Sequence, residues 1–479
     1  HVGGSERGHR EQTMKQLWLL GMVLGLSACL PKIPPQPSDA ALNPPEQWLQ
    51  AASANHAGLG VTLAEPSAWW AQLGDAQLNQ YIAQALRYNS DVNIAATRVQ
   101  AAMAQEAVNR SVLFPSLSVG GAGSNGRSVN AFGVPTQSAA AQPVFQASYE
   151  VDVFGKNRHA WQAKKWQTAA AEAQQAATQV SVSTAVVRLY VQLTALQAQK
   201  QLLQNTLRSR EQALKIAQDK ARVGYSSQLE LNQAQAEYAA TQQQIPVNQK
   251  AIAQSQHALS TLIGSVPQAL PAASSLNNLR MPSVPVSLPS EVLNQRPDIA
   301  AAAYALAATD AQLQSSRAQF LPTLQLNATD GVLLSSALSI DPVHIWSVGG
   351  SILAPLFQGG RLTAQFEQAT SARDEAAWQY RASVLKALQE VEDQLVAEKS
   401  LREQQAALQA QLRAVGSALQ HANNRYHAGY SPYLEVLDAQ RALYQLQVQD
   451  IQLHSDVLLS QVALYQALGG GWSVSKKVN

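Results

Sequence analysis

Few polar side chains in this sequence stand where they could do chemistry together. Its nine histidines are scattered, and its single cysteine, Cys29, has no partner for a disulfide and no second soft ligand for a metal. No His/Cys/carboxylate spacing suggests zinc, and no glycine-rich loop suggests a nucleotide. Gly359-Gly360 looks superficially like a phosphate loop, but no Lys-Ser/Thr follows it. Its counterpart Gly155-Lys156 marks both as strand-to-helix turns. The chain therefore reads as a non-enzyme without a cofactor. Polar groups arranged along surfaces remain. Gln146, Ser148, Glu150 and Asp152 alternate with apolar residues and could line water. Glu390, Glu392 and Asp393 cluster within a helix, as a solvated face or as an ion-selective lining.

Composition agrees with surfaces rather than catalysis. The 479 residues are 46% apolar, only 14% charged, and carry a formal charge of +2 without a dense basic run. Nucleic-acid binding has no electrostatic footprint here. Residues 1–13 read as foreign or upstream sequence, and 14–28 as a signal peptide, with Met14, Lys15 and the apolar stretch Leu17–Gly25. An apolar run of roughly 12 residues suits export and is too short to span a bilayer as a helix. Leu26-Ser27-Ala28-Cys29 resembles a bacterial lipobox, so Cys29 is expected to carry covalent lipid as the first mature residue; otherwise it is an incidental thiol. Leu30 rather than Asp after it resembles a protein passed on to the outer membrane.

Elements that would position these groups emerge when the two halves are laid side by side. Phe114-Pro115-Ser116-Leu117 matches Leu321-Pro322-Thr323-Leu324, and Phe154-Gly155-Lys156-Asn157-Arg158 matches Phe357-Gln358-Gly359-Gly360-Arg361. Gly224-Tyr225-Ser226 matches Gly429-Tyr430-Ser431, and Leu262-Ile263-Gly264 matches Ala467-Leu468-Gly469. An offset held near ~205 residues reads as a duplicated half-molecule, not a short-unit solenoid. The boundaries follow: an extended linker with the lipid site over 29–74, repeats over 75–264 and 291–468, a proline-rich connector over 265–290, and a tail over 469–479. Linker and connector should be extended surface chain rather than core.

Each repeat reads as helix, hairpin, very long helix, turn, helix. In the first, Asp75 to about Val112 is helical, a strand-like stretch follows near Leu117, and a Gly/Ser/Asn-rich loop comes next. A second strand over Val144–Phe154 sets Phe145, Ala147, Tyr149, Val151 and Val153 against the polar set named above. From Gly155 to about Arg222, Val182, Val186, Leu189, Leu193 and Leu196 step by fours and threes, and Leu203, Leu207 and Leu214 hold the phase. That is a left-handed coiled-coil seam. Gly224 breaks the helix, Ser227 with Glu230 has capping-box spacing, and Pro246 interrupts the return. In the second repeat, Arg361 to about Ala428 is long and Pro432 to Leu468 returns, with Ser431 as N-cap. Two short helices stacked end to end would match the long one, near ~100 Å.

Nothing in the mature sequence is apolar enough for a transmembrane helix, so a membrane could be crossed only by a closed barrel. Four strands cannot enclose a pore; three copies would supply about twelve. Closed rotational symmetry makes a homotrimer reasonable.

At this point the chain resembles the TolC-like outer-membrane factor family, in its lipoprotein branch of efflux channels. Gln295-Arg296-Pro297-Asp298-Ile299, Phe320–Leu324, Pro355–Arg361, Arg425-Tyr426, Tyr433-Leu434 and Leu437–Arg441 carry the likeness, which spans nearly the whole chain after Cys29. The family implies a mixed fold: a 12-stranded trimeric barrel in outer-membrane lipid on a periplasmic tunnel of coiled-coil helices. It implies a periplasmic adaptor and an inner-membrane pump, of the RND or MFS type, as partners. It also implies a periplasmic gate, with Leu434 and Asp438 as threefold rings held by Arg425, Tyr426 and Arg441. Asp438 and Arg441 stand where the first repeat has Gln233 and Ala236, and such one-sided charge suggests that one hairpin lines the axis. Ordinary capping and solvated charge is the alternative. The tips at Gly224, Tyr225, Ser226, Gly429, Tyr430 and Ser431 would meet the adaptor, unless their glycines serve the turns alone. The implied function is passive efflux of drugs or other small toxic compounds; metals are disfavoured by only four methionines. Competing readings are a type I protein-secretion conduit of the same fold and a coiled-coil periplasmic scaffold lipoprotein, which would leave the amphipathic strands without a purpose.

Overall fold

A computed structural model of the chain describes residues 30–49, 66–129, 131–271, 275–280, 289–336 and 342–472. Cys29 and the signal peptide expected over 14–28 lie outside them. The first repeat comprises α1 (Ala76–Tyr88), α2 (Ser90–Ser111), β1 (Ser116–Val129), β2 (Pro135–Val151), α3 (Lys156–Arg222) and α4 (Gln228–Leu262). The second comprises α5 (Pro289–Gln295), α6 (Pro297–Ala318), β3 (Thr323–Ser335), β4 (Val343–Leu353), α7 (Arg361–His427) and α8 (Tyr433–Ala467). The long helices α3 and α7 are each 67 residues, and the returning helices α4 and α8 each 35. Equal lengths at equivalent places make the duplication structural.

Local chemistry sets the boundaries. Asp75 accepts the backbone N–H of Gln77 and Leu78 and starts α1. The single helix expected over 75–112 is interrupted at Asn89, which is extended (ψ 134°) and accepts the N–H of Asp91 and Val92 at 2.8 and 3.3 Å. Its short amide competes with the helical ladder and caps α2 instead. Ser227 accepts the Glu230 N–H at 3.3 Å, as its spacing predicts. Ser431 does not cap α8: Pro432 takes the cap position without a side-chain bond, and the Ser431 hydroxyl is buried without a partner.

The chain falls into two units, and the first (1–42, 98–171, 301–381) contains all four strands. They form one antiparallel sheet in the order β1-β2-β3-β4. The Gly/Ser/Asn-rich stretch expected as a loop is the body of β1, paired with β2 at every position from Ser116 to Val129. Its side chains have poor strand propensity, but the long partner strand satisfies its backbone regardless. Strand β2 accordingly starts earlier than expected, at Pro135, and ends earlier, at Val151. In this unit Leu313, Phe366 and Ala369 form a small core against Ile33 and Phe320.

The second unit (43–97, 172–300, 382–479) holds the larger core. Val182, Val186, Leu193 and Leu203 of the expected seam are buried, and Leu189 packs against the same core. The end-to-end arrangement of short helices is present: Asn89, at the start of α2, donates through Nδ2 to the carbonyl of Leu262, at the end of α4, at 2.9 Å. Linker and connector are not merely surface chain. Trp48 and Trp69 from the linker, and Leu270, Leu276 and Leu279 from the connector, are buried in this core. Trp69 and Leu276 sit in short 3-10 turns, Pro66–Leu73 and Leu276–Asn278, which bring these side chains to the core.

Candidate functional site

Two surfaces carry the polar groups singled out in the sequence. The first is the sheet. The ladders align Val119, Phe145, Asp330 and Trp346 across the four strands, and Leu117, Ala147, Ala328 and Val348 beside them. Because side chains alternate, these rows share one face. Apart from Asp330 that face is apolar there, and it is open: Leu117, Val119, Trp346 and Val348 are each at least 70% exposed. The opposite face carries Ser118, Gln146, Thr329 and Ser347 in one row and Ser116, Ser148, Asn327 and Gly349 in the next. Hydroxyls meet across it, Ser116 with Ser148 at 2.9 Å and Thr329 with Ser347 at 2.7 Å. One register keeps four strands amphipathic in the same sense.

Of the expected lumen residues, Gln146, Ser148 and Glu150 lie on that polar face, whereas Asp152 lies beyond β2. Asp152 accepts the N–H of Asn157 and Arg158 at 3.1 and 2.7 Å, neutralising the first turn of α3. Glu150 is drawn to the same helix start by Lys156 at 2.5 Å and Asn157 at 3.2 Å.

The second surface is the helical hairpin end of the second unit. Gly224 and Gly429 both have positive φ, 81° and 77°, and turn the chain. Tyr225 and Tyr430 project from equivalent places, 86% and 81% exposed. The Ser226 hydroxyl, like that of Ser431, is buried without a partner. Behind the turns, Val436 and Leu437 pack with Tyr433 and Tyr426, while Leu434 remains 45% exposed.

Tyr426 and Arg441 make their shortest bonds to the first repeat, while the weaker ion pairs of Arg441 and Arg425 stay within the second. Tyr426 donates its hydroxyl to the Glu230 carboxylate, accepts from Lys220 Nζ at 3.0 Å, and has that ammonium 4.2 Å from its ring centre. Burial, with Glu230 beside it, pushes the Tyr426 phenol well above its ordinary range. Arg441 donates from Nε and Nη2 to Glu237 at 2.8 and 2.5 Å. Glu237 is also held by Arg210, 2.5 Å from its other oxygen, and Arg210 donates to Thr241 Oγ1 at 2.8 Å. Asp438 is only 3.6 Å from Arg441 and is 65% exposed; Arg425 stands 3.8 Å from Glu435. Glu237 and Arg210 escaped the sequence reading, which took Glu230 only as part of a capping box. The seven-residue step from Glu230 to Glu237, which puts both carboxylates on one helix face, was the available signal.

Two of the three acidic side chains on α7, Glu390 and Glu392, act as tethers, while Asp393 stays on the exposed face. Arg296 binds Glu390 at 2.7 Å and Asp298 at 2.7 Å, and donates to the Ala467 carbonyl at 2.8 Å. Glu392 accepts the Leu49 N–H at 2.6 Å. Arg296 thus does for α8 what Asn89 does for α4. Burial alone would raise the Asp298 pKa, but the hydrogen bonds and charge of Arg296 outweigh it and hold the carboxyl below its ordinary value. The stability it contributes is full above the ordinary carboxylate pKa and lost as pH falls through the depressed one. Thermal melting should therefore show an acid limb that Asp298→Asn flattens; an unchanged limb would assign the acid sensitivity elsewhere.

Among the described residues no group of His, Cys, Asp and Glu could hold a metal ion, and no helix is long and apolar enough to cross a membrane.

Comparison with known proteins matches the same two blocks. The family described as outer membrane efflux protein covers residues 81–265 and 288–470. The chain is 32% identical over 467 residues to the pyoverdine export outer membrane protein OpmQ of Pseudomonas putida KT2440, covering 96% of this chain and 98% of that one. It is 32% identical over 408 residues to the cation efflux system protein CusC of Escherichia coli O6:H1, covering 84% and 88%. A crystal structure of CusC superposes with a TM-score of 0.80 at 28% identity, covering 92% of this chain and 99% of that one. The open-state MtrE outer membrane channel of Neisseria gonorrhoeae gives a TM-score of 0.80 at 26% identity, covering 94% and 99%. With both repeats matched, the chain belongs to the outer membrane efflux protein family, as a channel of the outer membrane and not an enzyme.

Proposed function

We propose that three copies close their sheets into one barrel of about twelve strands, through which small toxic compounds leave the cell. The single observation that carries this reading is the register-matched sheet, whose open apolar face needs lipid and whose other face needs water. Gln146, Ser148 and Glu150 would line the lumen, with Asp152 at its base. Energy would come from an inner-membrane pump of the RND or MFS type, through a periplasmic adaptor seated on the tips at Tyr225 and Tyr430. Cys29 would carry the lipid anchor. The pyoverdine and cation exporters among the relatives support small solutes as cargo over proteins.

The same reading makes the hairpin end the gate. Leu434 and Asp438 would form rings around the axis that narrow the pore and favour cations. The bonds from Arg441 to Glu237 and from Tyr426 to Glu230 would tie each second-repeat hairpin to the first and keep the rings closed. Detergent-extracted protein should cross-link as trimers and conduct ions in planar bilayers. Monomers that pass no current would end the channel reading.

A further inference from the structure

The apolar face of the sheet carries a carboxylate that the channel reading does not use. Among the described strand residues on that face only Asp330 is acidic, and His344, two residues before Trp346, lies on the same face. His344 Nε2 donates to one Asp330 oxygen at 2.8 Å, since a carboxylate can only accept. The two side chains are open, 63% and 64% exposed, and the second Asp330 oxygen can take a further donor. Asp330 stands directly opposite Phe145 on β2 and Trp346 on β4, so an aromatic side chain flanks the carboxylate on each side.

The pair stands at the edge of the apolar belt. On this face of β1 and β2, the large apolar side chains give way after Val119 and Phe145 to glycine, proline and alanine, and then to Asn125, Arg127 and Gln137. Charge on a lipid-facing strand costs least near such a boundary, and aromatic side chains gather there. On the side of the helices, Ala147, Tyr149, Leu326, Ala328, Val348 and Gly350 wall a shallow groove of about 410 Å³ on the same face. It exists because three of those residues are small beside the other three. The first repeat has Gly123 and Ala141 where the second has Asp330 and His344, so the shared scaffold does not require the pair.

We propose that Asp330, between Phe145 and Trp346, holds the ammonium headgroup of a membrane lipid, one acyl chain of which lies in the groove. Lipid reaches this place only if the face is lipid-exposed, as the barrel reading requires. An ammonium donates charge-assisted hydrogen bonds to the second carboxylate oxygen and is attracted to the flanking rings. With His344 neutral or protonated, the pair is negative or neutral and never positive. It offers an anionic headgroup no net charge to bind.

Native mass spectrometry of the full chain in detergent counts bound lipid as phosphatidylethanolamine, or phosphatidylglycerol with the same acyl chains, is added. Phosphatidylethanolamine should bind at least about tenfold more tightly than phosphatidylglycerol and saturate at about three per trimer. Asp330→Asn keeps the shape, removes the charge and should erase that preference. Trp346→Leu keeps the surface apolar and should weaken phosphatidylethanolamine about threefold while leaving phosphatidylglycerol unchanged. Equal affinity for the two lipids in the wild type, or a preference that survives Asp330→Asn, would overturn the headgroup site. The same spectra give the oligomeric mass, and planar bilayers give the current. Conducting trimers without the preference would end the headgroup site alone, whereas non-conducting monomers would end the barrel reading and the site with it.

Discussion

Glu237→Ala is expected to raise single-channel conductance more than any change at Asp438. The Glu237 side chain is 10% exposed and lies between Arg210, equally buried, and Arg441. Removing it leaves a buried guanidinium without its counter-charge, and breaking such a pair typically costs about 3–5 kcal/mol. A loss of ~3 kcal/mol from the closed arrangement alone would shift a closed-to-open ratio by roughly a hundredfold. Arg441→Ala should do less, because Arg210 still holds Glu237. Asp438→Ala should do least: a pair at 3.6 Å with one partner 65% exposed is a surface ion pair, worth about 0–1 kcal/mol. Planar-bilayer recordings of the three variants give the order directly. Equal conductance for Asp438→Ala and Glu237→Ala would return the gate to the acidic ring itself, as the family resemblance implies.

That contrast shows where reading the sequence stops. Helix lengths, the seam from Val182 to Leu203, the glycine turns and the Ser227 cap were legible because each depends on neighbours within a turn or two. The polar face was legible at Gln146, Ser148 and Glu150 through alternation. Asp152 was not, because the strand ends one residue before it and the start of α3 claims its carboxylate. Strand β1 was read near Leu117 but not through the glycine- and serine-rich stretch that follows, because those residues say little locally; its partner β2 decides. The partnership of Arg441 with Glu237 crosses 204 residues, and no local spacing encodes it. The same holds for Arg296 with Glu390, a tether at a position that reads locally as a solvated face or a lining.

Gly469→Ala is expected to be among the most destabilising single-methyl additions in the chain. Gly469 has φ 102°, and a Cβ there would overlap the Gln295 carbonyl, with its carbon at 2.8 Å. Its counterpart Gly264 has φ 79° and would meet the Tyr88 carbonyl oxygen at 2.5 Å. In both repeats the end of a returning helix presses backbone to backbone on the last residue of a short helix, α1 or α5, and the following Asn89 or Arg296 clamps its last carbonyl. Backbone cannot rotate away as a side chain can. The left-handed conformation alone costs an ordinary residue about 1–2 kcal/mol, and forced displacement of the joint would add about 1–3 more. Two other glycines separate these terms. Gly429, at φ 77° with nothing within 4 Å, should show the conformational cost only. Gly416, within α7 and also free of neighbours, should gain about 0.5–1 kcal/mol as alanine, because it relieves a weak spot in a helix. Thermal melting of the three alanine variants should therefore rank Gly416 above Gly429 above Gly469. If Gly469→Ala melts with Gly429→Ala, the joint yields under pressure, and the clamps at Arg296 and Asn89, not the close contact, hold the repeats' helices end to end.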